Sequence, residues 1–486
     1  MEKLRIFLLC FSVQLLGFHI NSITGQEVWS LEKCIMHAKE NNLTIRQSVV
    51  GMDQAKITLK SSKAQRLPTL NYSSSGGYQW GRTIDYATNT FENQTTNFNS
   101  QSLQTGINLY NGGQISNTIK QANIDLMAST KDAQQTFENI SLTIASQYLA
   151  ILLSQEAVEM AKKRLETTQK QLEQTDKLIN AGSLPRNERL NLVASVARDE
   201  ENLLIQQNNV DLGYLDLKSL LNIDPATPMI VQKPAVDQFL IDNTLLVDIE
   251  DLYKKSEQRN PGIASSQLKM QSAEIGKKIA SAAGLPSLSM FGSISSNYSS
   301  SILDFAHPDL SNLTEVLQTP QKINFNGSDV YIATYTYKGI QYSTKPYFSQ
   351  LSDNLGQAVG LSLRVPIYNA GIANYNKQRA DLAIKTAELN NMQVKQKLKS
   401  DIYRAVTDYK AARQRVDVAQ REFEAASGSF SNIQKKYDAG SSNSLDLITA
   451  KNNANTAEDN LLTARYSLIF RTKVLEFYLG QPIQLN

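Results

Sequence analysis

Apolar and polar positions alternate strictly through Val359, Leu361, Leu363, Val365 and Ile367 against Gly360, Ser362, Arg364 and Pro366. The same period runs through Leu103, Thr105, Ile107 and Leu109 against Gln104, Gly106 and Asn108. A period of two predicts strands of a sheet with one apolar and one polar face. Each strand follows a stretch rich in Ser, Gly and aromatic residues, so two hairpins are expected, with strands at about 70–82 and 100–110, and at about 286–299 and 355–368. Around them the period becomes helical. Leu31 to Asn41 and Thr44 to Arg66 carry apolar or small residues at helical spacing and end before Pro68. From Gly113 to Gly182 there is neither proline nor internal glycine, and from Gly371 to Gly440 the only internal glycine is Gly428. Each stretch predicts one helix, at about 114–180 and 372–438, roughly 100 Å long at ~1.5 Å per residue. The scattered Leu and Ile among Ala, Gln, Ser, Thr, Lys and Glu form a thin seam suited to coiled-coil pairing. Return helices are expected at about 187–221 and 443–478.

The pattern occurs twice. Tyr110-Asn111-Gly112-Gly113 returns as Tyr368-Asn369-Ala370-Gly371, and Ala181-Gly182-Ser183 as Ala439-Gly440-Ser441, both 258 positions on. Upstream, Leu67-Pro68 matches Leu285-Pro286 and Asn42 matches Asn260 at an offset of 218, so 40 extra residues lie in the second copy between Pro286 and Tyr368. A duplicated unit predicts two structural copies: a first repeat over 26–222, a linker over 223–246 with Pro225, Pro228 and Pro234, a second repeat over 247–480 and a tail over 481–486. The insertion carries Tyr331, Tyr335, Tyr337, Tyr342 and Tyr347. It is either an enlarged surface loop or an extra strand pair.

Residues 1–25 have the layout of a secretory signal peptide: Lys3 and Arg5, an apolar run from Ile6 to Phe18, then small polar residues. No later stretch is long and apolar enough for a transmembrane helix, so entry into a membrane would require a barrel. Lysine and arginine number 49 against 46 acids, interspersed along the chain, which gives no electrostatic case for nucleic acid. Cys34, alone after the signal, makes no intramolecular disulfide. The three histidines, His19, His37 and His307, are scattered, and no metal, cofactor, phosphate-loop or nucleophile motif appears. No catalysis is expected.

Amphipathic strands also suit a soluble sandwich. Two hairpins flanked by helices too long for a compact sandwich favour membrane strands, as do Tyr72, Tyr78, Trp80, Tyr110, Tyr298 and Tyr368 towards the strand ends. Four strands do not close a membrane barrel, and open edges in lipid cost several kcal/mol per unpaired group. Oligomerisation is therefore required: two chains give eight strands and three give twelve.

With these residues in place, the chain resembles the TolC family of outer-membrane efflux ducts. The resemblance rests on the duplicated order of elements, Leu-Pro before each hairpin, the Tyr-Asn-x-Gly exit, and Gly440-x5-Asp446-Leu447-x2-Ala450 followed by Ala464-Arg465-Tyr466. It implies an α+β membrane protein: a long coiled-coil α-helical hairpin plus a β-hairpin, duplicated, in a homotrimer with a twelve-stranded β-barrel in outer-membrane lipid and a helical conduit reaching into the periplasm. It implies an exit duct for efflux or type I secretion, a periplasmic adaptor (membrane fusion) protein docking at the turns Ala181, Gly182, Ser183 and Ala439, Gly440, Ser441, and an inner-membrane pump of the RND, ABC or a similar class. Asp446 matches a family acid facing the lumen at the periplasmic constriction. Tyr437 and Glu188 match members of a gating latch. The family's second acid falls on Thr449 and its latch arginine on Ser442, so the latch is incomplete here. An acid in the first turn of a helix also meets the helix dipole favourably, by ~0.3–1 kcal/mol, a reading that suits Glu188 better than Asp446. The competing readings are a periplasmic adaptor, which predicts a single hairpin copy and no membrane strands, and a structural coiled-coil envelope protein, which predicts uninterrupted heptads.

Overall fold

A side-chain cap starts the first helix of each copy. In this computed structural model, which describes residues 28–85, 90–233, 248–481 and 483–484, Ser30 Oγ accepts from Lys33 N at 3.2 Å, and in the second copy Asp248 Oδ1 accepts from Glu250 N at 3.0 Å. The first copy runs β1 (Val28–Trp29), α1 (Leu31–Asn41), α2 (Leu43–Ala64), β2 (Thr69–Asp85), β3 (Thr90–Asn111), α3 (Gln114–Asn180), α4 (Asn187–Leu221) and β4 (Ile230–Val231). The second runs α5 (Ile249–Arg259), α6 (Pro261–Ala282), β5 (Ser287–Ser299), then β6 (Thr314–Leu317), β7 (Gln321–Phe325), β8 (Ser328–Ile332) and β9 (Tyr335–Lys338). It closes with α7 (Tyr347–Asp353), β10 (Gly356–Arg364), α8 (Ile372–Asp438) and α9 (Ser444–Tyr478). The signal segment and most of the linker lie outside the described residues. Asn42 and Asn260 hold the same place in the two copies: each leaves the preceding helix in an extended conformation, and its Oδ1 accepts the amide of Ile45 at 3.1 Å or Ile263 at 3.0 Å to start the next.

The chain divides into two units. The sequence offsets relate two of the apolar cores of the helical unit. Ile144 and Ile402 are both fully buried, as are Leu217 and Leu475, and Cys34 corresponds to Leu252. In the first core, β1 pairs in parallel with β4, and the Tyr148 hydroxyl lies 2.9 Å from the Trp29 carbonyl and 2.7 Å from that of Gln232, tying the ribbon to α3. Cys34 is thus a core hydrophobe. Burial pushes its thiol up to about 12, opposed only in part by Lys33. Cys34 is expected to stay silent towards a thiol reagent at pH 8 in the native protein and to react after denaturation; rapid native labelling would place it elsewhere.

The second unit carries an antiparallel four-stranded sheet in the order β10-β5-β3-β2. Its register separates the faces. Tyr72, Leu103 and Ile294 align across three strands, as do Ile107, Met290 and Leu361, and Tyr110, Leu288 and Leu363. On the opposite face Asn71 aligns with Gln104 and Ser293, Ser73 with Ser102 and Ser295, and Asn108 with Ser289 and Ser362. A bulge between Asn108 and Tyr110 inserts Leu109 and brings Tyr110 opposite Leu288, so the aromatic ring falls on the apolar face at the strand's exit. Gly360 makes room for the Phe291 ring, which a Cβ there would approach to 2.6 Å.

The insertion is built of strands rather than irregular loop. β7 pairs with β8 inside the pair β6 and β9, and Gln318 N donates to Thr334 O at 2.9 Å between the two ladders. At the tip Asn326 and Gly327 have φ of 51° and 82°, the mirror-image turn that an Asn-Gly pair favours.

Candidate functional site at the helical hairpin tips

Both long helices end alike. Gly182 and Gly440 adopt φ of 77° and 74°, where a side chain would be strained. Gly182 N donates to Ile179 O at 2.9 Å and Ser183 N to Leu178 O at 2.9 Å, while Gly440 N donates to Tyr437 O at 2.9 Å and Ser441 N to Lys436 O at 2.8 Å. These paired bonds close each helix and reverse the chain. Ala181, Gly182, Ser183, Ala439, Gly440 and Ser441 are all exposed at the two turns.

The return helices begin differently. In α9, Asn443 Oδ1 accepts from Asp446 N at 2.8 Å; α4 follows Arg186, which makes no side-chain cap. Glu188, from the first turn of α4, accepts Ser444 N at 2.9 Å, and Asn191 Nδ2 donates to Ser444 Oγ at 3.0 Å. The Glu188 carboxylate therefore meets the N-terminus of the other copy's helix, where the dipole favours an anion. Tyr437 is buried, with its hydroxyl 3.0 Å from Thr175 Oγ1. Burial raises its pKa, the Thr175 bond opposes the rise, and Glu188 and Asp438 add to it. Asp446 is exposed, and Ser442 Oγ donates to its Oδ2 at 3.4 Å; Thr449 is exposed on the same helix. Tyr437 and Glu188 thus bond to different partners, Thr175 and Ser444, and Asp446 stands open.

Beside the tips lies a polar core that motif reading missed. Lys451 Nζ is 2.7 Å from Asp199 Oδ2, and Thr168 hydrogen-bonds to both, joining α3, α4 and α9. Lys451 is 3% exposed and Thr168 fully buried. Arg164 Nη1 and Nη2 donate to the two Asp459 oxygens at 2.9 Å each, and Nη2 also reaches Glu458 Oε2 at 2.9 Å and Asn455 O at 3.1 Å. Burial alone would disfavour the Arg164 charge, yet Asp459 and Glu458 outweigh it and hold the pKa above the usual value. Gln171 Nε2 donates to Gln434 Oε1 at 2.8 Å, linking α3 to α8. Periodicity carried a trace of this: Leu447, Ala450, Lys451, Ala454, Ala457, Leu461 and Ala464 form one stripe at helical spacing, with Lys451 inside it. No cluster of His, Cys, Asp and Glu able to hold a metal occurs among the described residues.

A duplicated helical hairpin with a four-stranded sheet, apolar on one face and open at both edges, defines a channel protomer whose barrel is completed by other copies. The outer membrane efflux protein family matches residues 34–222 and 252–481, and the chain belongs to it. It is 23% identical over 152 residues to outer membrane protein TolC of Escherichia coli, a stretch spanning 30% of this chain and 31% of TolC. Over nearly its whole length it shares the fold of CusC (TM-score 0.73, 16% identity, 95% of this chain and 96% of CusC). The outer membrane protein VceC of Vibrio cholerae is similar too (TM-score 0.71, 15% identity, 93% and 97%). The fold class is that of the family: an α+β outer-membrane protein with a four-stranded antiparallel sheet in each chain.

Proposed function

We propose that the protein is an outer-membrane exit duct of a tripartite efflux or type I secretion system, conducting substrates passively outward. The open-edged sheet carries this reading. Its apolar face suits lipid, and its opposite face, with Asn71, Ser73, Ser102, Gln104, Ser293 and Ser295, suits a water-filled lumen. Among the described residues no helix is long and apolar enough to cross a membrane, so the strands are the means of crossing. The energy then comes from an inner-membrane pump, and a periplasmic adaptor docks on the exposed turns Ala181-Gly182-Ser183 and Ala439-Gly440-Ser441.

In this reading Asp446 from each of three chains forms an acidic ring at the periplasmic constriction. Its exposure on the first turn of α9 supports that role, and a ring of like charges attracts cations. Glu188 and Tyr437 act one step back: Glu188 joins the two return helices through the Ser444 amide, and Tyr437 joins the two long helices through Thr175. The test is the mass of detergent-purified protein by light scattering with conductance in a planar bilayer. A trimer with small, cation-selective conductance is expected, and a soluble non-conducting monomer would overturn the duct. With the channel in hand, Asp446→Asn is expected to raise the trivalent-cation concentration for half block on the order of tenfold; unchanged block removes Asp446 from the pore.

A further inference from the structure

The C-terminal end of β5 is finished by a helix instead of a strand. β10 pairs with β5 from Ser287 to Ser295 and stops. Beyond that, Ser296 Oγ donates to Leu351 O at 2.7 Å, and Asn354 Nδ2 donates to Asn297 O at 2.7 Å. Gln350, 1% exposed, takes both backbone groups of Ser299: its Oε1 accepts from the amide at 3.0 Å and its Nε2 donates to the carbonyl at 3.0 Å. One side chain thus replaces a residue of the missing strand and closes an exposed edge.

α7 also leans over the apolar face. The Tyr347 ring packs on Tyr298 with centroids 5.0 Å apart, and its hydroxyl lies 2.8 Å from both Asn99 Oδ1 and Gln101 Nε2. By register Asn99, Gln101 and Tyr298 share the face of Leu103 and Ile294. From this platform Phe348 points away from the protein, 81% exposed, with its ring 5.3 Å from Tyr347.

We propose that α7 is a lipid anchor: Phe348, backed by Tyr347 and Tyr298, lies at the boundary between headgroups and acyl chains of the outer leaflet and fixes how deeply the barrel sits. This rests on the sheet being a membrane barrel. Lipid is the occupant because the aromatic cluster continues the band of Leu103, Ile294, Met290 and Leu361 along the same face. Aromatic rings with polar groups beside them favour that boundary.

The test uses the full trimer in which Trp80→Phe removes the strand tryptophan, with Phe348→Trp added, in phosphatidylcholine vesicles brominated either high on the acyl chain or near its end. The fluorescence gained over the Trp80→Phe parent is read. At least twofold quenching by the high bromines, weaker quenching by the deep ones and little by aqueous iodide is expected. Quenching by iodide alone puts α7 in water, and no quenching by either puts it under protein; both outcomes overturn the anchor. A parallel Leu361→Trp variant in the same background keeps the two readings apart, since its failure to be quenched by any bromine would overturn the barrel itself.

Discussion

Leu361→Arg is expected to abolish accumulation of the trimer in the outer membrane, while Ser362→Arg, one residue on, leaves it nearly intact. Leu361 aligns with Met290 and Ile107 on the apolar face, and Ser362 aligns with Ser289 and Asn108 on the polar one. An arginine facing lipid at the midplane costs ~2–4 kcal/mol, and a lumen position is open to water. Three copies multiply the penalty to ~6–12 kcal/mol per trimer, comparable to the whole stability of an ordinary domain. The measurement is the amount of heat-modifiable trimer in the outer-membrane fraction. Equal loss from both variants would mean that the two faces are not lipid and lumen.

Lys451→Met is expected to lower the stability of the helical unit by ~3–5 kcal/mol per protomer, because it strands the Asp199 carboxylate in a site closed by α3, α4 and α9. The pair is well enclosed, with side-chain exposures of 4% for Lys451 and 16% for Asp199. Replacing both partners, Lys451→Met with Asp199→Leu, is expected to recover most of the loss, since two apolar groups of similar size remove the charge that needs a partner. Denaturant midpoints for the two single variants and the double give the coupling directly. A single variant as stable as the parent would show that water reaches Asp199 and that the ion pair does not hold the hairpins together.

The helical and strand elements were legible because their signals are local. Period two in 359–367 and the proline-free runs beside Gly182 and Gly440 come from neighbours along the chain; β10 overlaps the first but ends at Arg364, before Pro366, while α3 and α8 lie within the two runs. The duplication was legible as well, and the paired caps Asn42 and Asn260 show the two offsets acting in three dimensions. Other features had readable signals that motif reading passed over: Asn326-Gly327 marked the hairpin of the insertion, and the stripe through Lys451 marked a core position. α7 had no such signal, since seven residues hold too little period, and its place is set by Gln350 reaching Ser299 across 51 residues.

The sequence by itself determined the element plan, the apolar and polar faces of the sheet, and the need for further copies to close it. All of these follow from side-chain periodicity and from the cost of unpaired backbone in lipid. The partner of each tip residue was decided only by tertiary packing. Glu188 reads as an acid serving its own helix, yet it accepts the Ser444 amide 256 residues away. Tyr437, which matches a latch residue by resemblance, bonds Thr175 on another helix. A charge or hydroxyl carries no directional code along the chain; its partner is whichever group the packed helices bring within about 3 Å, and that distance exists only once the two copies lie side by side.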